Sequence, residues 1–184
     1  VAHNIGYFFY NGGGDSQDTT NKIAKITVDL GFPVTCIGIP KTIDNDLPFT
    51  DNCPGFGSVA KYVSTSTREA SLDVESMSET STKVFILEVM GRHAGWIAAS
   101  AGLAAEKKND APHIILFPEV PFNQKDFLKK VKSTVKACGY CVIVVSEGAQ
   151  DKDGNFLADS GLVDSFGHAQ LGGVAPYIAS LVGD

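Results

Sequence analysis

Val34-Thr35-Cys36-Ile37-Gly38-Ile39, followed at once by Pro40-Lys41-Thr42-Ile43-Asp44-Asn45-Asp46, is the stretch on which the reading of this chain turns. The run from Val34 to Ile39 is short and apolar, as a buried parallel strand is. Just beyond it, Lys41 to Asp46 packs a cation, a hydroxyl, an amide and two carboxylates into six residues. Open α/β sheets carry their chemistry at the C-terminal ends of strands, and such a concentration of polar groups suits that place. The local alternative is an Asn/Asp turn whose side chains bond their own backbone.

Working back from this stretch, Ile5 to Tyr10 is apolar and aromatic enough for an interior strand, and the turn Asn11-Gly12-Gly13-Gly14-Asp15-Ser16 follows. Ile23, Ala24, Ile26, Val28 and Leu30 then recur with a mostly helical period up to Gly31. Strand, glycine turn and helix together make an anion-binding arrangement, since backbone amides and the helix N-terminus face the same point. The turn matches neither the P-loop nor the dinucleotide fingerprint, and an unliganded tight turn is its plainer reading. A strand with nothing before it to flank it is expected of a fragment, or of a mature chain without its natural beginning.

Working forward, Pro48 and Pro54 make a loop of 47–55. Val59, Ala60, Val63, Thr67 and Ala70 predict a helix from Gly57 to about Asp73, with Arg68 and Glu69 on its solvated face. Glu75 to Lys83 reads as an exposed connection without periodicity. Val84 to Val89 is a second central strand, which carries Met90-Gly91-Arg92-His93 to the same sheet edge as Lys41–Asp46, and an alanine-rich helix over 95–105 follows. Arg92 suits a phosphate because its fork grips two oxygens; a carboxylate partner across the turn is the alternative. A third strand, His113 to Phe117, leads to Glu119, which either accepts from a sugar hydroxyl or caps its loop. Asn123 caps a helix reaching Ala137. Cys141 to Ser146 is the fourth strand, ending at Glu147-Gly148. Asp151 to Asn155 is a surface loop that lacks the late glutamate of a calcium site, and Val174 to Leu181 is a last helix with Pro176 in its first turn.

Composition narrows the classes of function. With 184 residues, 43% of them hydrophobic, and a net charge of −6, the chain can bury a core and offers no basic tract to nucleic acid or to an anionic membrane. No apolar run is long enough to span a bilayer, and a cytoplasmic location is expected. Cys36, Cys53, Cys138 and Cys141 are expected to be reduced and structural, with Gly139 ending a helix rather than activating a thiolate. His3, His93, His113 and His168 are too dispersed for a zinc site. The fold class is α/β, a mainly parallel sheet flanked by helices in three layers. Carboxylates, Lys41 and Arg92 at strand ends point to phosphoryl transfer, which needs a held metal, cations for the developing charge and a base for the attacking hydroxyl.

Taken in order, Gly-Gly-Gly-Asp-Ser at 12–16, Pro-Lys-Thr-Ile-Asp-Asn-Asp at 40–46, Met-Gly-Arg at 90–92 and Pro-Glu at 118–119 resemble the phosphofructokinase family over essentially the whole chain. The resemblance implies that residues 1–184 are an internal part of the catalytic region, spanning parts of the phosphate-donor and sugar-phosphate lobes. It implies that Asp44 is the base for the C1 hydroxyl of fructose 6-phosphate and that Lys41 and Arg92 assist the transferring phosphoryl group. Thr42, Met90, Gly91, Arg92 and Glu119 would bind substrate. So would Lys83, which stands where ATP-using relatives have an arginine reaching a neighbouring subunit's substrate; the full-length protein is accordingly expected to be a homo-oligomer.

Gly12, Gly13, Asp15, Ser16 and Lys41 would bind the phosphoryl donor. Asp15 and Lys41 resemble the pyrophosphate-using branch, because a carboxylate at 15 crowds the place of an α-phosphate while Lys41 meets the extra charge of pyrophosphate. Pyrophosphate is therefore favoured over ATP, in a reversible step of glycolysis. The alternative of another class is a non-catalytic sugar-phosphate-binding or regulatory module. Magnesium is the implied cofactor. The family's pattern has an aspartate where Gly14 stands, so the metal is assigned to Asp15 and Asp46. Gly167 to Gly173 superficially resembles the family's sugar-phosphate segment, but Leu171 replaces its arginine, and His168 is read as a look-alike.

Overall fold

A computed structural model describes residues 2–163, 169–171 and 173–183. The chain divides into two compact units, Val1–Phe56 and Gly57–Asp184.

In the first unit, strand β1 (Tyr7–Gly12) leads into helix α1 (Gly14–Asp29) and strand β2 (Thr35–Pro40). The two strands pair in parallel, Tyr7 opposite Thr35 and Gly12 opposite Pro40. Helix α1 packs on both strands, the right-handed crossover being the usual link between parallel neighbours. Thr27 ties the end of this unit's helix to the next strand, its hydroxyl accepting from Val34 N at 3.4 Å. β1 is not the interior strand its composition suggests. Among the described residues it pairs only with β2, and Tyr7 and Phe9 are 67% and 60% exposed. On β2, Ile37 and Ile39 share that exposure at the positions opposite Phe9 and Asn11.

The second unit opens with helix α2 (Phe56–Met77) and contains a parallel sheet in the order β3 (Val84–Val89), β5 (Cys141–Ser146), β4 (Ile114–Leu116). Helix α3 (Trp96–Ser100), tightening into a 3-10 turn at Ala101–Ala104, connects β3 towards β4, and α4 (Gln124–Cys138) connects β4 to β5. All six residues of β5 are buried, as its central position requires. Cys141, Ile143 and Val145 meet Phe127 and Val131 of α4 and Val174 and Ile178 of α5 (Val174–Gly183) on one face. Val142 meets Val74 of α2, Ala111 and Tyr140 on the other. Helices on both faces of a parallel sheet confirm the α/β class, although the strands form two separate parallel sheets rather than one continuous edge.

Several local expectations hold and others shift. Asn123 accepts at its side chain from Asp126 N at 3.1 Å, and Gly139 ends α4 with φ of 86°. The cysteines are free, and burial pushes the Cys141 thiol up to about 12. Helix α2 runs past Asp73 to Met77, because Val63, Thr67, Ser71 and Val74 form one buried stripe that its Ser/Thr-rich end disguises. Arg68 is not merely solvated, for it pairs with Glu106. An antiparallel ribbon, β6 (Asp159–Val163) with β7 (Ala169–Leu171), was not anticipated. The Asp151 carboxylate binds its own loop, accepting from Asp153 N at 2.8 Å and Asn155 N at 2.9 Å. His168 lies outside the described residues. Among the described residues, no helix is long and apolar enough to cross a membrane.

Candidate active site

In the first unit the expected donor residues and the loop carrying Asp44 follow the ends of two paired strands. Gly12 ends β1, Gly13 is the N-cap of α1, and Asp15 and Ser16 lie in its first turn. Lys41 N donates to Gly12 O at 3.0 Å, so the chain leaving β2 runs beside the glycine turn. The parallel register forces this neighbourhood, since Gly12 and Pro40 are the last paired residues. Gln17, which the sequence did not single out, donates from Nε2 to Gly12 O at 2.9 Å and holds α1 to the strand end.

The loop beyond Lys41 is built around Asn45. This residue is 7% exposed and takes φ of 60°, a left-handed conformation that asparagine tolerates better than most side chains. Its Oδ1 accepts from Cys53 N at 2.8 Å, and its Nδ2 donates to Asp51 O at 3.3 Å. Thr42 Oγ1 accepts from Asp44 N at 3.2 Å. The turn reading therefore applies to part of the stretch: Thr42 and Asn45 shape the loop, and Asp44 and Asp46 are carried on it. Asp44 and Thr42 are half-buried, while Lys41, Asp46 and Asp15 are exposed.

In the second unit, Met90, Gly91 and Arg92 follow the C-terminal end of β3. Glu119 follows β4, and its Oε1 accepts from Gly95 N at 2.7 Å, which commits one carboxylate oxygen to the start of α3. Met90 lines an apolar cavity of about 260 Å³ with Tyr62, Val63 and Ile97. Glu147, beyond the end of central strand β5, accepts at Oε1 from Gly91 N at 3.3 Å. Its place after the Val-Ile-Val-Val run was visible in the sequence; its contact with Gly91, 56 residues away, was not. Lys83 precedes β3 and so stands at the opposite end of that strand from Arg92, donating from Nζ to Ser78 O at 2.6 Å.

Among the described residues no group of three or more His, Cys, Asp or Glu side chains gathers as a metal cage. Asp15 and Asp46 offer hard carboxylate oxygens after the ends of two paired strands. That set fits magnesium, which keeps several waters and takes one or two carboxylates together with substrate phosphates.

The chain is 62% identical over 181 residues to the pyrophosphate–fructose 6-phosphate 1-phosphotransferase of Halomonas elongata, covering 98% of this chain and 43% of that protein. It is 60% identical, with the same coverage, to the enzyme of that name from Methylococcus capsulatus. The crystal structure of a pyrophosphate-dependent phosphofructokinase from Marinobacter aquaeolei superposes with a TM-score of 0.80 at 60% identity, covering 98% of this chain and 42% of that one. The chain thus spans less than half the length of these relatives. The phosphofructokinase family profile matches residues 1–183, and the chain belongs to that family.

Proposed function

We propose that the protein carrying this chain transfers a phosphoryl group from pyrophosphate to the C1 hydroxyl of fructose 6-phosphate, giving fructose 1,6-bisphosphate and phosphate. The observation that carries this reading is the backbone bond from Lys41 N to Gly12 O at 3.0 Å, which sets the glycine turn and Asp15 beside the loop bearing Asp44. The relatives named for pyrophosphate at 60–62% identity support the choice of donor.

Asp44 takes the C1 hydroxyl proton as that oxygen attacks phosphorus in line and the bridging P–O bond of pyrophosphate breaks. Amides of the turn at Gly12 and Gly13, the Ser16 hydroxyl and the N-terminus of α1 hold donor phosphate oxygens, and Lys41 offsets their charge. The carboxylate of Asp15 fills the space that a longer nucleotide would need. Arg92 grips phosphate oxygens with two parallel N–H bonds, and Thr42, Met90, Gly91 and Glu119 orient the sugar phosphate. Lys83, at the far end of β3, serves a substrate bound by a neighbouring subunit. Magnesium bound through Asp15 and Asp46 would spread the negative charge of the phosphates.

The test is Asp44→Asn in the full-length protein, with pyrophosphate and ATP offered in parallel. Turnover with pyrophosphate is expected to fall by about 10²–10⁴-fold while fructose 6-phosphate still binds. An unchanged rate would remove Asp44 from the role of base. Faster turnover with ATP than with pyrophosphate in the unsubstituted protein would overturn the donor.

A further inference from the structure

The turn that presents Arg92 is held from the neighbouring strand by a residue that no substrate can reach. Ser146, the last residue of β5, is fully buried. Its hydroxyl donates to Gly91 O and accepts from Gly148 N, the latter at 3.3 Å. Glu147 adds two further ties, its N–H donating to Val89 O at 2.8 Å and its carboxylate accepting from Gly91 N at 3.3 Å. Both backbone polar groups of Gly91 are thereby satisfied by side chains from the end of β5. Gly91 itself has φ of 128°, a conformation that a side chain would strain.

Gly148 completes the fit. A Cβ there would lie 1.9 Å from Arg92 O and 2.7 Å from Arg92 Cα, so the Arg92 backbone rests directly on a residue without a side chain. Three consecutive residues, Ser146-Glu147-Gly148, thus fix the turn Gly91-Arg92 by hydrogen bonds and by contact. The Ser146 position requires a group that donates and accepts at once in a small buried space. Alanine there would leave Gly91 O and Gly148 N without their partner, an imbalance that a turn relieves by moving.

We infer that Ser146 is a positioning residue, which acts through the Gly91–Arg92 backbone to aim the Arg92 guanidinium at the phosphate it binds. The inference rests on the reading of Arg92 as a phosphate ligand given above. Displacing a group that must meet a reacting phosphate by about 1 Å costs on the order of 10²-fold in rate, which sets the scale of the effect.

A double-mutant cycle in the full-length protein tests it: Ser146→Ala, Arg92→Ala and the pair, each assayed for kcat and KM with pyrophosphate and fructose 6-phosphate, with Tm recorded alongside. Ser146→Ala is expected to lower kcat/KM by about 10–100-fold when Arg92 is present and by less than about twofold when it is absent. The same loss in both backgrounds, or no loss with Arg92 present, would overturn the inference. If Arg92→Ala alone left kcat/KM unchanged, the reading of Arg92 as a ligand would fall instead, and the two failures are told apart by that single variant. Should Ser146→Ala not fold, Ser146→Cys, whose thiol remains a weak donor, carries the same cycle with the same expected dependence on Arg92.

Discussion

The two units solve the same problem with different thickness. The second unit wraps its parallel sheet on both faces, so that β5 is buried from Cys141 to Ser146 and its last residue bonds the turn at Gly91. The first unit covers one face with α1 and leaves Tyr7, Phe9, Ile37 and Ile39 largely open, yet it carries Asp44, Lys41 and Asp15. A thin layer cannot hold a loop by burial alone. There the precision comes from polar ties, with Asn45 bonded to Asp51 and Cys53, Gln17 bonded to Gly12, and Lys41 bonded to Gly12.

The contrast is tested most severely by truncating one isoleucine in each sheet. Ile143→Ala, at a fully buried position, is expected to cost about 2–5 kcal/mol, whereas Ile37→Ala, at a position 41% exposed, is expected to cost less than about 1 kcal/mol. Urea unfolding of both variants checks this. Equal costs would mean that the open face of β1 and β2 is covered in solution and that the contrast is false.

Asn45→Ala sharpens the comparison from the polar side. Losing both side-chain bonds, and the tolerance for a left-handed backbone, is expected to destabilise the first unit by about 1–3 kcal/mol and to lower kcat with it. Asn45→Gly, which restores the backbone freedom but not the bonds, separates the two causes. Activity equal to that of the unsubstituted protein in Asn45→Ala would show that the loop is held by something else.

The smallest effect concerns pH and belongs to the thick unit. His113 Nδ1 accepts from Val142 N at 3.0 Å, and its ring meets Tyr140 edge-on at 5.0 Å between centroids. Burial is the main cause that holds its pKa below the ordinary 6.5. The folded state therefore binds this proton less readily than the unfolded chain, and the contribution to stability is present above about pH 6.5 and is lost as pH falls through the folded pKa. In His113→Gln, Tm is expected to fall less between pH 7 and pH 5 than in the unsubstituted protein. An identical decline would assign the acid sensitivity to other groups.

Much of both units was legible because it follows from local chemistry. Helix α4 was readable from Asn123 to Gly139, since a side-chain cap, an apolar stripe and a left-handed glycine are all local. The glycine turn, Lys41–Asp46, Met90–Arg92 and Glu119 were legible as groups at strand ends for the same reason. The end of helix α2 is hidden in the sequence because only Val74 among polar neighbours discloses the buried stripe. The ribbon of β6 and β7 was missed because it is short and shares little of the alternation by which strands are read. The aromatic residues of β1 suggest an interior strand, but exposure depends on what lies against a face, and composition does not carry that information.

By itself the sequence determined the α/β class, the order of strands and helices as far as β5 and the chemical character of the loops after them, because hydrophobic period, capping and turn residues act over a few positions. Only the tertiary structure decided that the described strands divide into two parallel sheets and an antiparallel ribbon, that β5 lies between β3 and β4, and that Ser146, Glu147 and Gly148 hold Gly91 and Arg92. Those outcomes depend on contacts between residues some 55 positions apart. The pairing that brings them together is chosen by burial of whole faces rather than by any local signal.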